Sequence, residues 1–191
     1  MLQISPQSKD SSEHKGNVTF ENPLELLLSC HEKILHFSSA LSELSTTLKN
    51  DGWSDNITAS ADQIRRYFNV ASPEHHLDEE HHLFPAIIAL DPEFKKTESI
   101  EIIQLLNSMI KEHVESDALW ETLDLMLEEK SQDFDTLITL SKRFKASMHE
   151  HARIENEQIF PYARARISPD DLKKIGLAIA ERRGIKQLNL S

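Results

Sequence analysis

The chain has 191 residues, of which 39% are apolar, so it is long enough to bury one compact hydrophobic core. Its net charge of −11 argues against the phosphate backbone of a nucleic acid as its main partner. Only four glycines and few aromatic residues favour long helices, and the single cysteine, Cys30, excludes an internal disulfide.

A polar stretch over residues 1–20 is predicted to be a disordered tail. It lacks the charged and apolar regions of a signal peptide, and no later run approaches the roughly 18 apolar residues of a membrane span. A reducing, cytoplasmic location without membrane contact is therefore expected. The rest of the chain is predicted to form a helical bundle over residues 21–167, followed by a C-terminal helix and tail over 168–191.

Helix start and stop signals predict five helices. Pro23 suits the first helical position of helix one, and Pro73 and Pro85 are expected to bend or restart helix two. The predicted ranges are about 22–49, 54–90, 98–129, 131–167 and 168–184. Four long helices with short connections predict an all-α, up-down-up-down four-helix bundle with a short fifth helix.

Each long helix carries one histidine on its apolar face, because residues three or four apart in an α-helix share a face. The four inward-facing histidines are predicted to be His31, His75, His113 and His151. Glu79 and Glu155 follow two of them by one turn. The same spacing predicts other inward positions, among them Leu28, Leu35, Ala71, Met109, Phe144 and Met148.

A lone histidine in such a stripe is usually an ordinary core residue, but four histidines with two glutamates need another explanation. Two buried, unpaired carboxylates would each cost several kcal/mol, and no lysine or arginine shares these faces. A bound cation removes that cost. Imidazole nitrogen together with carboxylate oxygen suits iron, manganese or zinc.

An internal repeat sharpens the choice of residues. His75, Glu79 and the segment Leu83-Phe84-Pro85 align with His151, Glu155 and Ile159-Phe160-Pro161 at a constant offset of 76 residues. A histidine and a glutamate four residues apart project from the same side of a helix, and a carboxylate can bridge two ions. The repeat therefore predicts a dinuclear site.

A shift of the ligand pair by one residue, to His76 and Glu80, is the main rival assignment. The repeat aligns His76 with Ala152 and Glu80 with Asn156, which favours His75 and Glu79. The remaining polar candidates and core aromatics receive simpler assignments. His14, His81, His82 and His149 are predicted to be exposed. Cys30 is predicted to have no catalytic role, and Trp53, Tyr67 and Trp120 are predicted to be core residues.

The chain resembles the hemerythrin-like (HHE cation-binding) family over residues 22–166. The resemblance rests on His31 in LLLSCHEKIL, His113 in KEHVESDALW, and the segments HHLDEEHHLFP and HARIENEQIFP. It implies a four-helix bundle with a non-haem di-iron centre, in which carboxylates, usually with an oxo or hydroxo group, bridge the irons. The family's dinuclear sites commonly have five histidines and two carboxylates, so His76, Asp117 or water is expected to supply the missing ligand.

The resemblance implies a protein that binds dioxygen, nitric oxide, peroxide or a related small ligand as a carrier or sensor. A sensor would need a separate protein partner. Two alternatives remain: a di-iron enzyme that reduces peroxide or nitric oxide or repairs iron–sulfur centres, and a structural bundle that holds zinc or no metal. The expected metal ligands are His31, His75, His76, Glu79, His113, His151 and Glu155, with iron preferred and manganese or zinc as substitutes.

Overall fold

A computed structural model describes residues 19–185, which form five helices and no strand. The all-α prediction is confirmed. Their bounds are Pro23–Asp51 (α1), a run from Asp55 to Ile88 (α2), Thr97–Glu128 (α3), a run from Phe134 to Arg166 (α4) and Pro169–Arg182 (α5). Residues 1–18, with His14 and most of the predicted tail, and residues 186–191 lie outside the described residues.

Side-chain caps and one glycine fix several helix ends. The side chains of Ser54, Asp133 and Ser168 each accept a hydrogen bond from a backbone N–H in the first turn of α2, α4 and α5. Gly52 ends α1 with a φ of 70°, a left-handed conformation that only glycine adopts without strain.

Three π-helical segments interrupt α2 and α4, and each ends two residues before a proline. They are Tyr67–Ala71, Glu79–Leu83 and Glu155–Ile159, ahead of Pro73, Pro85 and Pro161. A proline ring lacks an N–H and crowds the carbonyl four residues earlier, and the wider π turn accommodates both defects. Consequently α2 continues through Pro73 and Pro85 instead of restarting.

The π segments change which residues face inwards. Each inserts one extra residue into the helix, which rotates the following side chains by about 100° relative to an uninterrupted α-helix. Ala71, predicted to face inwards, is exposed, and Ser72 is buried instead. On α1, Leu28 and Leu35 lie at the margin of the apolar face and are only half-buried.

Ion pairs along the bundle establish the antiparallel arrangement. Lys49 pairs with Asp135 where α1 ends and α4 begins, and Arg164 pairs with Glu25 near the opposite ends of the same two helices. Arg65 of α2 pairs with Asp124 of α3 in the same antiparallel sense. Within residues 19–185, no helix has both the length and the hydropathy needed to cross a membrane.

The core consists of two apolar clusters with a polar layer between them. One cluster includes Leu27, Leu83, Met109 and Ile159, and the other includes Ile34, Phe68, Trp120 and Met148. Every long helix contributes to both clusters, and its inward-facing histidine lies between the two contributions in sequence. Trp53 and Tyr67, predicted to be core residues, are half-buried at the edge of the second cluster.

Helix α5 packs on the first cluster and holds α2 by buried ion pairs. Arg182 and Arg183 both contact the carboxylate of Asp78, which is fully buried. Gly176 allows α5 to approach the turn before α1 closely, because an added Cβ would lie 1.6 Å from the carbonyl oxygen of Phe20. Since Asp78 immediately precedes Glu79, this contact holds the segment of α2 that enters the polar layer.

Candidate metal centre

Seven ionisable residues form the polar layer, and each of them is at most 5% exposed. They come from all four long helices: His31 from α1, His75, His76 and Glu79 from α2, His113 from α3, and His151 and Glu155 from α4. These are the seven residues that the sequence singles out, and the fold brings all of them together.

Glu79 and Glu155 lie at the middle of this group. Nε2 of His31 is 2.9 Å from Oε2 of Glu155, and Nε2 of His151 is 3.3 Å from the same oxygen. On the other carboxylate, Nε2 of His75 lies 3.3 Å from Oε1 of Glu79, and Nε2 of His113 lies 3.7 Å from Oε2. Each glutamate is therefore approached by histidines from at least two helices.

The group divides into two adjoining clusters that share both glutamates. In each cluster, the potential ligand atoms all lie within 4.8 Å of one another. The first cluster is His31, His75, Glu79 and Glu155. The second cluster is His113, His151, Glu79 and Glu155, and His76 forms a third such group with His113 and His151. Two shared carboxylates between two sets of imidazoles are the donor arrangement of a dinuclear metal centre.

His76 supplies the fifth histidine beside the second cluster. Its ring stacks on that of His113, with centroids 3.9 Å apart and planes 9° apart. On an uninterrupted helix, His76 would lie about 100° round from His75, yet both are buried. Asp117, the alternative fifth ligand, is 57% exposed and lies outside the polar layer, with Oδ1 3.8 Å from Nδ1 of His76.

Of the alternative ligand pair, His76 and Glu80, only the histidine lies in the centre. His76 faces the second cluster, but the side chain of Glu80 is 28% exposed and contacts the outer nitrogen of His113 at 2.6 Å. Glu79 occupies the central position between the histidines. The two adjacent histidines thus point into one centre, whereas the two adjacent glutamates have different surroundings.

Many polar atoms in this layer lack hydrogen bonds. Among the described residues, both carboxylate oxygens of Glu79 and of Glu155 are buried without a well-formed hydrogen bond, although Nε2 of His31 lies 2.9 Å from Oε2 of Glu155. Both ring nitrogens of His75 and of His76 are buried without a partner too. Buried polar groups are normally satisfied, because each unsatisfied one costs about 1–3 kcal/mol. Unsatisfied carboxylate oxygens and imidazole nitrogens that converge on one volume fit a bound cation of the kind that prefers nitrogen and oxygen ligands.

In the metal-free protein, bound protons partly compensate the charges of the buried glutamates. Burial and the neighbouring Glu155 raise the pKa of Glu79, whereas His151 and His31 lower that of Glu155 against the effect of burial. Burial opposes a charge on His151, but Glu155 and Glu112 outweigh it and raise the pKa of His151 to about 9. Burial and the adjoining His151 lower the pKa of His113 to about 3. The centre therefore holds His151 protonated against ionised Glu155.

The repeat also places aromatic and outer polar contacts around the centre. Phe84 stacks on His113 with centroids 6.4 Å apart, and its repeat partner Phe160 stacks on His31 at 5.2 Å. Asn156 accepts a hydrogen bond from Nδ1 of His31 at 2.7 Å. These outer contacts were not predicted, although the alignment of Glu80 with Asn156 in the repeat contained the signal.

The other polar candidates lie outside the centre. His81 is exposed as predicted, but His149 is half-buried because its Nε2 lies 3.3 Å from Oγ of Ser39 on α1, and His82 is half-buried too. Cys30 is half-buried beside His31 in sequence, and burial raises the pKa of its thiol, which disfavours the reactive thiolate.

Comparison with known proteins agrees with this geometry. The model of the Hemerythrin HHE cation binding domain matches residues 22–163, a range that contains all seven side chains of the polar layer. An uncharacterized protein of Haemophilus influenzae is 31% identical over 173 residues, which cover 88% of this chain and 94% of that protein.

Proposed function

This chain belongs to the hemerythrin HHE cation-binding domain family, and we propose that it is a non-haem di-iron protein that binds dioxygen or a related small ligand as a carrier or sensor. The observation that carries the proposal is the pair of adjoining clusters that share Glu79 and Glu155. Separate metal sites would need separate carboxylates, whereas shared ones suit two ions held close together.

The proposed ligands divide between two metal positions. His31 and His75 would hold the first ion, and His76, His113 and His151 would hold the second. Glu79 and Glu155 would bridge the two ions. Five imidazoles and two carboxylates suit iron, manganese or zinc, and membership of the hemerythrin family favours iron among these.

The surrounding chain would keep the centre free of bulk water. Bound iron would supply a redox-active site with affinity for a small diatomic ligand. Met109, Phe144 and Met148 are at most 2% exposed in the apolar clusters on either side of the polar layer, and Phe84 and Phe160 cover two of its histidines. Excluding water strengthens electrostatic interactions inside the centre and limits side reactions.

Metal content and absorption test the proposal together. Protein reconstituted with iron(II) without oxygen should hold about two iron ions per chain, as in other carboxylate-rich bundles. After exposure to oxygen, the protein should absorb in the near ultraviolet as ferric iron forms, and this absorption should disappear on reduction and return when oxygen is added again. Steady consumption of peroxide or nitric oxide would instead indicate the enzyme. Colourless protein that retains zinc and takes up no iron would contradict the di-iron proposal.

Metal binding is expected to release protons, since His151 is protonated at pH 7 in the metal-free protein. A metal must displace that proton, so affinity should rise as the pH rises towards about 9, by about tenfold per pH unit for each proton released. Calorimetric titration with Zn²⁺ in buffers of different ionisation enthalpy would measure the proton count. The exposed His81→Ala variant should show the same count, and an affinity that does not change with pH would contradict this prediction.

A further inference from the structure

The two residues that follow the shared glutamates make equivalent contacts on opposite sides of the centre. Glu80 follows Glu79 and accepts from Nδ1 of His113 at 2.6 Å. Asn156 follows Glu155 and accepts from Nδ1 of His31 at 2.7 Å. Glu80 and Asn156 are repeat partners, and each lies in a π-helical segment. Each π segment thus provides both a central carboxylate and an outer oxygen for a histidine of another helix.

These outer oxygens fix which ring nitrogen faces the centre. A neutral imidazole whose Nδ1–H is donated outwards carries its lone pair on Nε2. Nε2 of His31 lies 3.8 Å from Oε1 of Glu79, and Nε2 of His113 lies 3.7 Å from Oε2 of the same carboxylate. In the metal-bound form, where these imidazoles are neutral, the lone pairs of both histidines would therefore point to the volume between the shared glutamates.

The two contacts differ in charge. The Glu80 carboxylate can draw the Nδ1 proton towards itself, which makes the imidazole a stronger electron donor to a metal, whereas an amide oxygen orients the ring without adding charge. Two further carboxylates lie on the side of His113. Oε2 of Glu112 is 3.5 Å from Nδ1 of His151, and Oδ1 of Asp117 is 3.8 Å from Nδ1 of His76. On the other side, Nδ1 of His75 has no hydrogen-bond partner among residues 19–185.

We infer that Glu80 and Asn156 are a repeat-related pair of positioning residues that make the two metal positions chemically unequal. Glu80 orients His113 and favours the more highly charged ion, iron(III), at the second position. Asn156 orients His31 and leaves the first position easier to reduce. The inference rests on the proposed di-iron centre, but the hydrogen bonds themselves belong to the metal-free protein and can be tested there.

The first arm of the test uses the metal-free full chain. In nuclear magnetic resonance spectra, the Nδ1–H protons of His113 and His31 should both be protected from exchange with water. Glu80→Ala should remove the protection of His113 only, and Asn156→Ala that of His31 only. Glu115→Gln is the matched control, because Glu115 is exposed on α3 and pairs with Lys111 instead of a histidine. Loss of neither signal in the two alanine variants would overturn the inference.

The second arm measures iron affinity by chelator competition and the reduction potential by a redox titration. Glu80→Ala and Asn156→Ala should each weaken iron(II) binding about 10- to 100-fold, the usual effect of losing an outer hydrogen bond to a ligand. Glu80→Gln retains an acceptor oxygen, so it should restore most of that affinity. It should still lower the preference for iron(III) about tenfold, which raises a one-electron potential by about 59 mV.

Asn156→Asp should produce the opposite shift by adding the missing charge beside His31. Equal potentials for wild type, Glu80→Gln and Asn156→Asp would overturn the claim of unequal positions, even if iron binds. If the wild-type protein takes up no iron, the proposed function fails, and the resonance measurements alone then decide whether Glu80 and Asn156 orient their histidines.

Discussion

Replacing Glu155 with alanine is expected to abolish binding at both metal positions, whereas replacing a single histidine should empty only one. Glu155 belongs to both clusters, and its Oε2 lies 2.9 Å from His31 and 3.3 Å from His151. No other carboxylate of the described residues occupies that place between the clusters except Glu79. The variant therefore loses a ligand that both ions need.

Iron content after reconstitution measures this difference. From about two ions in the wild type, Glu155→Ala should fall to none, while His75→Ala and His76→Ala should each retain about one, because they belong to different positions of a carboxylate-bridged pair. His81→Ala controls for the loss of a histidine outside the centre. Retention of both ions by Glu155→Ala would contradict the shared-carboxylate arrangement. Retention of both by His75→Ala, with loss in His76→Ala, would favour the pair His76 and Glu80.

Removing the two arginines of α5 that contact Asp78 is expected to give the largest loss of stability. Asp78 is fully buried, and the Arg182→Ala/Arg183→Ala double variant would remove both cations that its carboxylate contacts within residues 19–185. Breaking a buried ion pair from one side costs about 3–5 kcal/mol, so the free energy of unfolding of the metal-free protein should fall by about that amount. Urea denaturation, which gives this free energy directly, is the measurement.

Two further variants separate the buried pair from a general loss of arginine. Arg153→Ala removes an arginine that joins Glu150 and Glu157 on the exposed face of α4, and it should cost far less stability than the double variant. Adding Asp78→Asn to the double variant should recover part of the lost stability, because it removes the unpaired charge. A double variant within about 1 kcal/mol of the wild type would show that the contact contributes little.

The sequence was sufficient for the helices and for the central glutamates because both depend on local periodicity. The repeat at an offset of 76 residues identifies Glu79 and Glu155, since two helices with the same spacing of histidine, glutamate and proline present the same face. The apolar residues on either side then require that face to be buried.

The π segments limited the prediction in α2. A constant α-helical spacing predicts that Ala71 faces the core and that His76 points about 100° away from His75. This spacing does not allow for the extra residue that a π turn inserts. The structure exposes Ala71 and buries His76 together with His75. Prolines signalled a disturbance at these places, but their effect on winding depends on how the neighbouring helices pack.

Contacts between distant parts of the chain could not be read from the sequence. Asp78 is separated from Arg182 by 104 residues, and no periodic pattern links an acidic residue of α2 to the end of α5. Glu80 and Asn156 were different, because the repeat had already aligned them. Recognising that each contacts a histidine of another helix required the crossing of the four helices in space.

Anomalous diffraction at the iron absorption edge, from crystals of iron-reconstituted protein, would locate the metal most directly. Two peaks are expected inside the bundle, one beside His31 and His75 and one beside His76, His113 and His151, with Glu79 and Glu155 between them. A lone peak, or peaks that lie away from both glutamates, would contradict this arrangement.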